Sequence, residues 1–148
     1  MALDPSFVGK HYPPTEPYEV GREKIREFAD AIGDPHPAYR DLAAARALGH
    51  PDLIAPPTFP IVVTMRAAGQ VISDPALGLD YSRVVHGEQR FSYRRPVRAG
   101  DVLTVTVTVE DIRSAAGNDL ITTRGVVATV EGEHVVTARS TLVSRGSA

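Results

Sequence analysis

The sequence predicts an α+β domain: an antiparallel sheet of about five strands laid against one long apolar helix. Three observations lead there. Proline is unevenly spread, crowding positions 5 to 17, 35 to 37, 51 to 60 and 75, with none after Pro96. The run Pro60-Ile61-Val62-Val63-Thr64-Met65-Arg66-Ala67-Ala68-Gly69-Gln70-Val71-Ile72 contains no acid and is apolar nearly all round, the pattern of a helix that is buried. Beyond Pro96, Val102 to Glu110 alternates strictly, with Leu103, Val105, Val107 and Val109 on one face and Thr104, Thr106 and Thr108 on the other.

The elements follow in order. Glu16 to Val20 reads as a short leading strand. Arg22 to Ala31 reads as a helix, because Ile25, Phe28, Ala29 and Ile32 fall at the spacing of one apolar stripe, and Gly33 ends it. Asp41 caps a second helix, Leu42 to Leu48, closed by Gly49. Thr58 is expected to cap the third, Pro60 to Ile72, with proline in its favoured first turn. Its β-branched residues lower helix propensity, so packing must hold it. Strands are expected over Val84 to Arg94, Val102 to Glu110, Leu120 to Val130 and His134 to Val143. The turns between the last three fall at Gly117-Asn118-Asp119 and Glu131-Gly132. With no internal repeat, residues 1–148 form one domain.

Composition narrows the function. Sixteen basic residues against eighteen acidic ones give a net charge of −2, without the positive excess of a nucleic-acid binder. Cysteine is absent, which removes disulfides, thiolate nucleophiles and cysteine-held metals. No stretch approaches the ~20 apolar residues of a membrane-spanning helix. The amino-terminal Met1-Ala2-Leu3-Asp4-Pro5 lacks the basic start and apolar run of a signal peptide, so a cytoplasmic protein is expected.

Four blocks then occur in order: Phe28-Ala29-Asp30-Ala31-Ile32-Gly33-Asp34-Pro35-His36-Pro37, Ala55-Pro56-Pro57-Thr58-Phe59-Pro60, His86-Gly87-Glu88-Gln89 and Arg95-Pro96-Val97-Arg98-Ala99-Gly100-Asp101. This ordered set resembles the MaoC-like (R-hydratase) branch of the hot-dog fold, and specifically its amino-terminal or non-catalytic half. The resemblance implies a curved antiparallel sheet around a central helix, and substrates that are acyl thioesters of coenzyme A or acyl carrier protein. The catalytic motif of the family, Gly-Asp-x-Asn-Pro-x-His, falls on Gly33, Asp34, Pro35, His36, Pro37, Ala38 and Tyr39. The aspartate is kept as Asp34. Asparagine is replaced by His36, and histidine by Tyr39.

That last replacement decides the chemistry expected. Dehydrating a 3-hydroxyacyl thioester needs a base that titrates near neutrality, which imidazole supplies and a phenol with a pKa of ~10 does not. Losing one acid–base partner typically costs about 10² to 10⁴ in rate. Little or no hydratase activity is therefore expected of this chain alone. Asp34, His36 and Tyr39 are the candidate catalytic positions, and each has a plainer reading. Asp34 can bond backbone amides in a turn, His36 can do the same on its loop, and Tyr39 can fill core.

Pro57, Thr58 and Phe59 lead into the amino end of the third helix, where free amides and the helix dipole would suit a polarised thioester carbonyl. His86 and Gly87 are further substrate-binding candidates. In a regular strand His86 would lie on the face opposite Val85, Gly87, Gln89 and Phe91. Arg95, with Arg94 and Arg98, can meet coenzyme phosphates or an acidic carrier protein, or can be a solvated strand end. The scattered histidines have no metal-ligand spacing, so no metal is expected, and no cofactor beyond the coenzyme A or phosphopantetheine carried by the substrate.

The leading expectation is a non-catalytic subunit of a (3R)-hydroxyacyl-thioester dehydratase in fatty-acid metabolism. It would form part of the acyl pocket in a heterodimer with a catalytic MaoC-like partner. The alternative is a homodimer that binds acyl thioesters or another small apolar ligand without turnover. A hot-dog thioesterase, commonly with a carboxylate on the central helix, is disfavoured because Ile54 to Ser73 holds no Asp or Glu.

Overall fold

Hydrophobic alternation builds five strands, β1 (Tyr18–Glu19), β2 (Val84–Tyr93), β3 (Val102–Ala115), β4 (Asn118–Thr129) and β5 (His134–Ser144), in the computed structural model, which describes residues 3–146. They form one antiparallel sheet in the order β1-β3-β4-β5-β2. The alternation expected of β3 holds, with Leu103, Val105, Val107 and Val109 all buried. The strand runs past Glu110 to Ala115, and a bulge between Val109 and Asp111 lets it curl. Its hairpin to β4 turns earlier than expected, at Ala116 and Gly117, whose φ values of 52° and 79° match a tight two-residue loop. The leading strand shrinks to Tyr18–Glu19, hemmed in by Pro13, Pro14 and Pro17, which cannot donate to a ladder.

Three helices accompany the sheet: α1 (Arg22–Ala31), α2 (Leu42–Ala47) and α3 (Ile61–Ile72). In α1 the expected stripe buries Ile25 and Ala29, and Gly33, with φ 72°, turns the chain away. Asp41 caps α2, its Oδ1 accepting from the Ala43 and Ala44 amides. Packed on β3 and β4, α3 buries Val63, Thr64, Ala67 and Val71. Its other side is less covered than its composition suggests, since Met65 is 66% exposed.

Thr58 does not cap α3. Pro60 stands at that position, and no side chain caps the helix. The Ile61, Val62 and Val63 amides instead donate to the carbonyls of Thr58, Phe59 and Pro60. At the opposite end, Asp74 ties α3 to the amino-terminal segment, accepting from Lys10 Nζ and from Tyr12 Oη at 2.7 Å. That segment runs along β3: the Gly9, Tyr12 and Thr15 amides donate to the carbonyls of Val109, Val107 and Val105.

Candidate functional site

The loop after α1 carries the motif positions. Asp34 Oδ1 accepts the His36 amide at 3.1 Å, and His36 Nδ1 accepts the Ala38 amide at 3.1 Å. His36 thereby caps the short 3-10 turn Pro37–Tyr39. One atom of each side chain is engaged by backbone, so the structure joins Asp34 to the amide of His36 and not to its imidazole, while Asp34 Oδ2 and His36 Nε2 meet no partner among the described residues. The Tyr39 ring lies 5.3 Å from that of His36 and is 8% exposed. Burial pushes the Tyr39 phenol above its ordinary pKa, and the Asp34 carboxylate adds to the shift. A second phenol, Tyr93 on β2, donates to the Pro57 carbonyl at 2.6 Å. Loss of solvent, then the neighbouring Tyr39, raises its pKa too. At neutral pH both phenols stay protonated and can donate hydrogen bonds, but neither can remove a proton from carbon.

The entry to α3 is more structural than the sequence suggests. Phe59 is fully buried and meets Phe28 edge-on, with ring centroids 5.4 Å apart. The Phe59, Ile61, Val62 and Val63 amides are spent on the turns that start the helix, while the Thr58 amide meets no acceptor among the described residues. Pro57 contributes its carbonyl to Tyr93, while the Thr58 side chain is exposed and caps nothing.

A separate cavity of about 300 Å³ lies between α3 and the sheet. Its volume comes from small side chains. Ala67 and Ala68 face it from the helix, and Gly125 and Ala138, which pair directly across β4 and β5, face it from the sheet. Polar groups also reach it: Thr64 from α3, and His86, Gln89, Thr123 and Ser140 from the sheet. None of Asp34, His36 or Tyr39 lines this space. Sequence reading missed it, although two small residues at inward strand positions, Gly125 and Ala138, were the available signal.

A bulge explains the placing of His86 and corrects the regular-strand expectation. Register slips between His86 and Glu88, leaving Gly87 unpaired. His86 and Gln89 therefore both face the cavity, where a regular strand would have opposed them. His86 Nε2 lies 2.9 Å from Ser140 Oγ. Gly87 does not line the cavity. A Cβ there would stand 3.1 Å from Val143 Cγ2 and 3.3 Å from the Thr141 carbonyl, so its role is close approach of β2 to β5.

Arg95 is also committed elsewhere. Its guanidinium bonds both Asp101 carboxylate oxygens at 2.9 Å and both Glu133 oxygens, and these pairs raise its pKa. The clamp fastens the loop before β3 to the turn before β5, leaving Arg95 engaged within the fold. No cluster of three or more histidine and acidic side chains suited to a metal occurs among the described residues.

The chain is similar to known proteins along nearly its whole length. The family model for the FAS1-like dehydratase domain region matches residues 6–138. A UPF0336 protein of Streptomyces coelicolor is 69% identical over 147 residues, covering 99% of this chain and 98% of that one. Among solved structures, a MaoC-like dehydratase superposes with a TM-score of 0.88 at 37% identity, covering 96% of this chain but only 43% of the longer protein. A chain of the C-terminally truncated HadBC (3R-hydroxyacyl-ACP dehydratase) complex from Mycobacterium tuberculosis gives a TM-score of 0.84 at 32% identity, covering 97% of this chain and 99% of that one.

Proposed function

This chain belongs to the MaoC-like hot-dog dehydratase family, and from that premise we propose that it is the subunit of a (3R)-hydroxyacyl-thioester dehydratase that houses the acyl chain and leaves proton transfer to a catalytic MaoC-like partner. The observation that carries this reading is a separation. A buried, protonated phenol stands at the motif histidine, while a cavity suited to a chain lies apart from it under α3. The substrate would be an acyl thioester of coenzyme A or of acyl carrier protein, with no other cofactor.

The need for a partner has its own physical support. The outer edge of β2 is unpaired, and a bare edge invites another strand. Near it Met65, Tyr81 and Val85 are 66%, 71% and 42% exposed, an apolar set that a second subunit would cover. The similar HadBC protein is itself a complex.

The test is reconstitution. Purified chain is assayed for hydration of a 2-enoyl thioester alone, and then mixed with a MaoC-like subunit that carries an intact Gly-Asp-x-Asn-Pro-x-His motif. Silence alone and a rate at least about tenfold above that of the partner alone are expected. Brisk turnover by the isolated chain, or no increase on mixing, would overturn the proposal.

A further inference from the structure

The sheet side of the cavity under α3 carries a polar row. Register sets Thr123 opposite Ser140, and Ser140 opposite Gln89, across β4, β5 and β2. His86 pairs with Leu142 and so stands diagonal to Ser140, its Nε2 2.9 Å from Ser140 Oγ. A hydrocarbon occupant asks for none of these groups, since it gives a polar atom no partner. The proton transfer assigned to a partner subunit does not use them either.

The bulge in β2 is what brings the imidazole and the hydroxyl together. In a regular strand His86 and Gln89 would face opposite sides of the sheet, whereas here both line the cavity. The slip suits glycine at position 87, because a Cβ there would stand 3.1 Å from Val143 Cγ2. Bulges that re-aim one side chain are common beside active sites. With its proton on Nδ1, the His86 ring accepts from Ser140 through Nε2, which is the contact a serine nucleophile makes with its base. Thr123, buried opposite Ser140, offers a hydroxyl to the oxygen of a carbonyl attacked there. Gln89 is a wall instead of a donor, its Nε2 already bonding the Arg139 carbonyl at 3.2 Å. Met65 and Tyr81 line the same space and are 66% and 71% exposed, so they mark its mouth.

We propose that Ser140 and His86 form an acyl-transfer site that takes carboxylic esters with an apolar acyl chain. The acyl chain lies under Ala67 and Ala68, and the alkoxy group points out past Met65 and Tyr81. Ser140 Oγ bonds to the acyl carbon while its proton passes to His86 Nε2. The bond from that carbon to the alkoxy oxygen breaks, and the alkoxide takes the proton from His86 and leaves as an alcohol. Water then attacks the acyl-serine and gives one proton to His86, which returns it to Ser140 Oγ as the carboxylic acid departs. This activity goes beyond the dehydratase reading, since it needs neither a partner subunit nor the loop Asp34–Tyr39.

The test uses the whole chain and a fluorophosphonate that carries an octyl group, read by intact mass. The wild type should gain one phosphonyl group with loss of fluoride, and peptide mapping should place it on Ser140. Ser140→Ala should gain none, and His86→Gln should label at least about 100-fold more slowly, the scale of a lost base. Hydrolysis of p-nitrophenyl butyrate should follow the same order. In the wild type alone its rate should rise between about pH 5 and 8, where an imidazole gives up its proton. Ser140→Cys gives the chain its only cysteine, which iodoacetamide should alkylate faster than in the same variant combined with His86→Gln. No label on Ser140, or equal rates with and without the imidazole, overturns the site. Labelling of Ser140 with no more than one equivalent of p-nitrophenol released keeps the acyl transfer and overturns the hydrolytic step. The dehydratase reading stands or falls separately, by reconstitution.

Discussion

The loop Asp34–Tyr39 and the cavity under α3 are opposites. In the loop one atom of each polar side chain is held by backbone: Asp34 Oδ1 takes the His36 amide, His36 Nδ1 takes the Ala38 amide, and Tyr39 is packed away. In the cavity small side chains leave volume unfilled and Thr64 Oγ1 has no partner. One region engages its polar groups mainly with its own backbone, and the other does not. A surviving motif residue can therefore serve a backbone turn, whereas unfilled volume and unsatisfied polarity mark a candidate ligand site.

The contrast can be broken first at the loop. Tyr39→His combined with His36→Asn rebuilds the whole family motif, and asparagine can still cap the 3-10 turn. A gain of about 10²-fold or more in 2-enoyl thioester hydration is expected, read from loss of the conjugated absorbance. A flat result would show that the loop lacks more than its imidazole. On β2, Gly87→Val should lower unfolding free energy by about 1–3 kcal/mol in urea titrations, because a Cβ there would press to 3.1 Å from Val143 Cγ2 and 3.3 Å from the Thr141 carbonyl.

Smaller effects sharpen the comparison. Ala68→Leu should fill part of the cavity and weaken decanoyl-pantetheine binding about tenfold, by displacing roughly two methylenes of contact. Tyr39→Phe should leave that binding unchanged, and a matched loss would mean that the two regions are coupled. The last effect concerns Asp74, whose carboxyl is held at about 2 by the hydrogen bonds from Lys10 and then Tyr12, against an ordinary value of 3.8. Because the folded value is the lower one, this contribution to stability is complete above the ordinary value and is lost as pH falls through about 2. Unfolding titrations across that window should show a steeper acid loss for the wild type than for Asp74→Asn.

Much of the framework was legible from local pattern. The stripe Ile25, Phe28 and Ala29 located α1, Asp41 located α2, and the valine–threonine alternation located β3, since each depends on neighbours in sequence. Tertiary features were not legible. The bulge at Gly87 reverses the facing of Gln89 relative to His86, and no period-two reading can show a slipped register. Arg95 read as either an anion receptor or a solvated strand end because its partners, Asp101 and Glu133, meet it only after folding. The helix entry was partly hidden for a related reason: Thr58, Phe59 and Pro60 supply backbone carbonyls, and composition does not say which amides those will consume.

The amino-terminal segment has a consequence for assembly. By lying along β3 it blocks one flank of the sheet, so growth by strand addition is possible only past β2. Two such sheets joined through β2 present blocked flanks at both outer ends, and addition stops there. A pairing of two subunits through β2 would thus close on itself instead of extending into open-ended fibres.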